Sequence, residues 1–133
     1  MITKINHIGI AVNSIEDAVK FYSDALGLKL EDIEIMKEQK IRIAIIPVGE
    51  SKIELIESTD PEGPIAKYIK KRGEGLHHLA LEVSNIEGAL KTLVEKEIPL
   101  VDEKPRKGAE NTRIAFLHPG RTKVLIELVE PRN

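Results

Sequence analysis

INHIGIAVNSIEDAVK, residues 5–20, aligns without a gap with LHHLALEVSNIEGALK, residues 76–91. Six of the sixteen positions are identical at this offset of 71 residues, and His7 falls on His78. Such self-similarity indicates a duplicated supersecondary unit. The sequence therefore predicts two similar modules, each with one His at the same place.

A second match lies further along each half. IELIE, residues 53–57, falls on IELVE, residues 126–130, at an offset of 73, so that Glu54 is equivalent to Glu127. Equivalent residues converge when two copies of a unit close around a pseudo-two-fold axis. The two His and two Glu residues can then form one cluster, which predicts a divalent-metal site.

Each copy contains a strand, a helix and three further strands. Helix starts are predicted at Ser14 and Ser84, each followed three residues later by an acidic residue, and Gly27 ends the first helix. A short helix starting at Pro64 occupies the linker. Alternating hydrophobicity predicts strands at residues 2–12, 28–37, 40–48 and 52–58 in the first copy and at 76–83, 99–103, 113–117 and 123–130 in the second.

The length of 133 residues suits one domain of ordinary size. One copy alone, about 65 residues, would be only marginally stable. We therefore expect a single domain over residues 1–133, with module 1 at about 1–58, a linker helix at 59–74 and module 2 at about 75–133. The βαβββ order of both modules makes the fold class α+β.

Composition excludes several classes of function. The formal net charge of −2 argues against a nucleic-acid partner, for which a clustered basic excess is expected. The absence of Cys excludes disulfides, thiolate ligands and a Cys nucleophile, and is compatible with the cytosol. The apolar runs are too short to span a bilayer, and the first residues run directly into a strand pattern instead of a signal peptide. We expect a cytoplasmic protein with no membrane partner.

Strand parity places the four candidate ligands opposite the apolar faces of their strands. Because side chains alternate, Ile10 lies on the face expected under the helix, whereas His7 lies on the other face. His78, Glu54 and Glu127 follow the same rule. One polar residue at such a position is usually solvent-exposed structure, but the joint recurrence favours a metal site. A set of two imidazoles and two carboxylates suits Co, Mn, Ni, Fe(II) or Zn.

A set of short motifs covers nearly the whole chain. The most specific are Pro64-Ile-Ala-Lys67 and Arg72-Gly-Glu-Gly-Leu-His-His78, and the others are His7-Ile-Gly-Ile-Ala-Val12, Phe21-Tyr22, Leu26-Gly27, Lys52-Ile-Glu-Leu55, Asp102-Glu-Lys-Pro105, Phe116-Leu-His-Pro119 and Val124-Leu-Ile-Glu-Leu128. Together they resemble the methylmalonyl-CoA epimerase family of the vicinal oxygen chelate superfamily, which also contains glyoxalase I, extradiol dioxygenases and bleomycin-resistance proteins. The resemblance implies a glyoxalase-like fold in which two βαβββ modules form an eight-stranded, partly open barrel-like sheet.

The resemblance also implies a ligand set. His7, His78 and Glu127 match the family's metal ligands, and Glu54 falls at the position of the fourth. The implied cofactor is a divalent metal ion, for which the resemblance favours Co and leaves Mn, Ni, Zn and Fe open. Members of the superfamily usually pair, so a homodimer is expected.

The implied activity is that of an isomerase that epimerises methylmalonyl-CoA at C2 by 1,1-proton transfer through a metal-stabilised enolate. Glu54 and Glu127 are the candidate catalytic residues, one removing the C2 proton and the other returning a proton to the opposite face. The acyl-CoA is left open, because residues 108–111 depart from the family's Gly-rich loop.

Two alternatives remain open. One is a lactoylglutathione lyase like glyoxalase I, which would use the same ion and the same two carboxylates. The other is a metal-free protein of the same fold that binds a small molecule or confers resistance to one.

Overall fold

The computed structural model describes residues 1–132, with the side chain of Arg121 excepted. The predicted order, βαβββ twice with a linker helix between the copies, is confirmed. The strands are hydrogen-bonded in the order β2-β3-β4-β1-β5-β8-β7-β6. The elements are β1 (Ile2–Ala11), α1 (Ile15–Lys20, continued by a π-helical turn, Phe21–Ala25), β2 (Asp32–Met36), β3 (Ile41–Val48), β4 (Ser51–Ser58), α2 (Pro64–Arg72), β5 (Gly75–Val83), α3 (Ile86–Glu95), β6 (Arg106–Lys107), β7 (Thr112–Phe116), α4 (Pro119–Thr122) and β8 (Leu125–Pro131).

The chain divides into two compact units. The central unit is Ile8–His77, and the terminal unit is Met1–His7 together with the chain from His78 onward. The start of β1 thus belongs with the second half of the sequence. The division into modules at residues 58 and 75 stays a prediction.

The central unit has two apolar clusters. β2, β3 and β4 form an antiparallel meander in which Glu54 lies opposite Ile45. Against one face, α1 buries Ile15 beside Ala44 and Leu55. The other cluster is formed with α2 and contains Ala11, Ile56 and Ile65.

The terminal unit has a sheet with two different faces. β5 runs parallel to β8, and β7 runs antiparallel to it. One face packs under α3 and buries an apolar cluster of Val83, Ile86, Ala89, Leu90, Ala115, Leu117 and Leu128. The other carries a smaller apolar cluster of Ala80, Ile114 and Val129, packed against Phe116. The predicted alternation of faces is therefore present in this unit.

Two predicted strands differ from the structure. The strand predicted at 28–37 begins at Asp32, and the strand predicted at 99–103 is wrong. In that segment the amides of Val101 and Asp102 both donate to the carbonyl of Phe116, at 2.9 and 3.1 Å. Successive amides of an extended strand point in opposite directions, so this segment is not a strand.

The strand that does form in this region, β6, begins only at Arg106, beyond the predicted segment. It is followed by Gly108, where an added Cβ would lie only 2.5 Å from the Ile114 side chain, so the backbone approach requires Gly. In the part of the chain that the structure describes, no helix combines the length and the apolar character needed to cross a bilayer.

Candidate metal centre

Three of the four predicted ligands meet in the terminal unit. His7 comes from β1, His78 from β5 and Glu127 from β8. The two Nε2 atoms lie 3.0 Å apart, and Oε1 of Glu127 lies 3.1 Å from Nε2 of His7 and 3.0 Å from Nε2 of His78. One ligand atom from each residue thus points at a common position.

Strand register explains why Glu127 reaches this position. Across the parallel pair Glu127 lies opposite Ala80, and across the antiparallel pair it lies opposite Phe116. The small Ala80 leaves room for the Glu127 side chain. The Phe116 ring meets the His78 ring edge to face, with centroids 5.8 Å apart, and so packs against one imidazole.

The cluster is buried in apolar surroundings. His7, His78 and Glu127 each expose only 5% of their surface. Burial by itself raises the pKa of the Glu127 carboxyl, but hydrogen bonds from His7 and His78 outweigh it and lower that pKa to about 2. Glu127 is therefore held as a carboxylate, the form that binds a cation.

The donor set fits a divalent ion. Two imidazole nitrogens at 3.0 Å cannot both present lone pairs to each other unless a proton or a cation lies between them. With metal–ligand distances of about 2.1 Å, neighbouring ligands of an octahedral ion lie about 3.0 Å apart and those of a tetrahedral ion about 3.4 Å apart. The observed 3.0–3.1 Å spacing is close to both values, so the three atoms can be ligands of one ion.

A hydrogen-bonded chain continues from His7 away from the cluster. Nδ1 of His7 lies 2.7 Å from Oδ1 of Asn6, and Nδ2 of Asn6 donates to Oε1 of Glu82 at 2.9 Å. Neither Asn6 nor Glu82 is identified from the sequence, because neither recurs in the repeat, where Asn6 aligns with His77 and Glu82 with Ala11. The one signal is a polar residue directly before a candidate ligand.

Glu54, the fourth predicted ligand, lies in the central unit. It is on β4 and exposes 4% of its surface, so it is buried as fully as Glu127. Its roles as ligand and as proton carrier stay predictions.

Comparisons with known proteins agree with the motifs found in the sequence. A family model described as "Glyoxalase/Bleomycin resistance protein/Dioxygenase superfamily" matches residues 6–116. An uncharacterised Bacillus subtilis protein, YqjC, is 40% identical over 98% of this chain and 94% of its own length. The mitochondrial methylmalonyl-CoA epimerase of Bos taurus is 34% identical over 94% of this chain and 73% of its own.

A solved structure agrees as well. A methylmalonyl-CoA epimerase in complex with methylmalonyl-CoA and NH4+ superposes with a TM-score of 0.93, at 32% identity over 98% of this chain and 96% of that one. The resemblance stated from the motifs and the glyoxalase-like α+β fold class are both confirmed.

Proposed function

The chain belongs to the glyoxalase/bleomycin resistance protein/dioxygenase superfamily, and from this premise we propose that it is a metal-dependent isomerase that epimerises methylmalonyl-CoA at C2. The observation that carries the proposal is the convergence of His7, His78 and Glu127 in a buried position. The epimerases among its relatives supply the substrate class, an acyl-CoA.

A divalent ion held by His7, His78 and Glu127, with Glu54 as fourth ligand, would polarise the thioester oxygen as a Lewis acid and so acidify the C2 proton. The resemblance favours Co for this ion. The protein contributes buried surroundings, and the carboxylates of Glu54 and Glu127 would balance the charge of the ion, so the net charge of the loaded site stays small.

Glu54 and Glu127 are the proposed proton carriers, and each would have to dissociate in part from the ion, because a ligating carboxylate is too acidic to be an ideal base at neutral pH. Inversion at C2 requires one proton to leave one face of the carbon and another to arrive at the opposite face, so two groups are needed. Their equivalence in the repeat supports this pair, since a pseudo-two-fold axis relates positions on opposite sides of whatever lies on it.

The test is deuterium exchange at C2 of methylmalonyl-CoA in D2O, together with metal analysis of the purified protein. Glu127→Gln and Glu54→Gln, made separately, are expected to lower exchange by about 10²- to 10⁴-fold, because each removes one acid–base group. Each substitution also removes a proposed ligand, so metal analysis of both variants separates loss of the proton carrier from loss of the ion. Glu95→Gln is the matched control, since Glu95 is an exposed carboxylate on α3, and its exchange rate should equal that of the wild type. Normal exchange in both site variants would eliminate the assignment.

The same preparation separates the alternatives. Turnover of methylglyoxal plus glutathione in place of methylmalonyl-CoA would favour the lactoylglutathione lyase. Failure to retain any divalent ion after reconstitution would favour the metal-free binding protein. The proposal includes a cytoplasmic homodimer, which light scattering of the purified protein and fractionation of cells would test.

A further inference from the structure

The side chain of Asn6 lies between a candidate metal ligand and a carboxylate. Its Oδ1 is 2.7 Å from Nδ1 of His7, and its Nδ2 is 2.9 Å from Oε1 of Glu82. Asn6 exposes 8% of its surface and His7 exposes 5%, so water has little access to this contact. All three residues belong to the terminal unit.

The chemistry of these groups decides which atom donates and which accepts in each hydrogen bond between Glu82, Asn6 and His7. The Glu82 carboxylate can only accept hydrogen bonds, so the Asn6 amide must turn its NH2 group towards Glu82. The amide oxygen then faces His7, and because this oxygen can only accept, Nδ1 of His7 must carry the hydrogen. The other ring nitrogen, Nε2, is the atom that points at His78 and Glu127.

We propose that Asn6, oriented by Glu82, is a positioning residue that holds His7 in the tautomer and ring orientation needed to bind the metal through Nε2. This inference rests on the metal site of the function proposed above. A ligating His commonly donates its second N–H to a carboxylate or carbonyl group, and loss of such a partner costs about 10- to 100-fold in metal affinity. Here the Asn6 amide lies between the Glu82 carboxylate and the His7 imidazole and contacts both.

The side chains of Asn6 and Glu82, which form these hydrogen bonds, have no equivalent in the other copy of the repeat. The position equivalent to Asn6 is His77, whose ring packs edge to face on Tyr68 at 4.7 Å. The residue that precedes the ligand is therefore Asn6 in one copy and His77 in the other, although His7 and His78 are themselves equivalent. Both copies of the repeat keep the His ligand, but only the first has an Asn that can accept a hydrogen bond from it.

The first test is Asn6→Leu, which keeps the approximate volume and removes the acceptor. Zn²⁺ affinity, measured by competition with a chromophoric chelator, is expected to fall about 10- to 100-fold. In the Zn²⁺-loaded wild-type protein, ¹⁵N-edited NMR should show a slowly exchanging Nδ1–H signal from His7. In Asn6→Leu this signal should move upfield or exchange rapidly, because its acceptor is gone.

A single variant and a double variant that restores its lost hydrogen bond test the direction of these hydrogen bonds. Asn6→Asp alone places two acceptors against each other across the 2.9 Å contact, so Zn²⁺ affinity should fall. Adding Glu82→Gln restores a donor at that contact, and the carboxylate introduced at position 6 still accepts from His7. The double variant should therefore bind Zn²⁺ within about threefold of the wild type and regain the Nδ1–H signal.

Asn85→Ala is the control for general destabilisation. It removes a helix-capping side chain in the same unit and should leave both Zn²⁺ affinity and the His7 signal unchanged. Wild-type affinity and an unaltered signal in Asn6→Leu would overturn the inference, as would failure of the wild type to bind Zn²⁺. A protein that shows the Asn6 dependence but does not exchange the C2 proton would uphold the inference and reject the proposed epimerase.

Discussion

Arg113 joins two carboxylates at the start of a helix. Its Nη2 donates to Glu87 on α3 at 2.7 Å and to Glu130 on β8 at 2.6 Å. The second oxygen of Glu130 accepts from the amide of Ile86, the first residue of α3, at 3.0 Å. A strand residue thus satisfies a helix amide that has no partner within the helix.

The central unit contains the same arrangement. Arg42 donates to Glu16 and Glu57, and Glu57 accepts from the amide of Ile15 at 2.7 Å. These residues are the repeat equivalents of those around Arg113. Residues repeated in sequence can therefore serve the helix start as well as the metal site, and repetition alone does not separate the two roles.

Glu130→Gln is predicted to destabilise the protein by about 1 kcal/mol at neutral pH, after allowance for screening at this partly exposed site. The hydrogen bond from Arg113, followed by that from the Ile86 amide, holds the pKa of Glu130 below its usual 4.5. Because the folded-state pKa is the lower one, this stabilisation is present above pH 4.5 and is lost as pH falls through the folded-state pKa.

Urea unfolding of wild type and Glu130→Gln at a series of pH values between 7 and about 3 measures this difference. The difference in free energy of unfolding between wild type and Glu130→Gln should be constant from pH 7 to about 5 and should become smaller below pH 5. A difference that becomes larger in acid would contradict a lowered folded-state pKa for Glu130. Glu95→Gln, on the exposed side of α3, should show no comparable difference at any pH.

At the scale of elements, the helix starts show both the value and the limit of local signals. The sequence predicts Ser14 as a cap, and the Ser14 side chain accepts a hydrogen bond from the amide of Asp17 at 3.2 Å. The sequence predicts Ser84 as the second cap, but Asn85 accepts from the amide of Gly88 at 3.1 Å instead. The offset of 71 pairs Ser14 with Asn85, so the repeat identifies the cap where the capping-box pattern did not.

Asn85→Ala is expected to reduce the free energy of unfolding by about 1 kcal/mol, because an amide in the first turn of α3 loses its acceptor. Ser14→Ala should cost a similar amount in α1. The matched control is Ser84→Ala, which removes an exposed hydroxyl one residue before the cap. Urea unfolding would contradict the prediction if Ser84→Ala proved as destabilising as Asn85→Ala.

Strand boundaries were predictable only where alternation was strong. β3, β4, β5 and β8 each differ from the prediction by at most two residues at either end. The early starts assigned to the third element of each copy, at residues 28 and 99, lie at equivalent positions of the repeat. Leu28 and Leu100 pack against apolar clusters, and of the two only Leu100 pairs, in a single isolated bridge with Leu117. Local hydrophobicity does not distinguish such packed residues from the residues of a strand.

At the scale of the whole molecule, duplication predicts the ligands and their convergence but not the unit of the fold in which they meet. Parity and repetition identified His7, His78 and Glu127, and the structure brings these three together. What sequence could not supply is the division of the chain after His7, which places this residue in the terminal unit with the second half. That division depends on contacts between distant segments, for which a single sequence holds no local signal.

A ligand that binds only the folded state stabilises the whole molecule. Three of the four proposed ligands, the triad His7, His78 and Glu127, lie within the terminal unit, so a bound ion links the start of the chain to β5 and β8. At a free ion concentration about 100 times Kd the stabilisation is about 2.7 kcal/mol, which for a chain of this length raises Tm by roughly 10 °C. We therefore predict such a rise when Zn²⁺ is added to the metal-free protein, and its reversal by a chelator.

Two His variants make this prediction specific, with differential scanning calorimetry as the measurement. His78→Ala should abolish the rise, because it removes one of the two imidazole ligands and leaves Glu127 with a single imidazole partner. His118→Ala removes a His of the same unit whose Nδ1 caps α4, and it should keep the full rise. An equal rise in both variants would mean that Zn²⁺ binds elsewhere, and the triad would then be a hydrogen-bonded cluster instead of a metal centre.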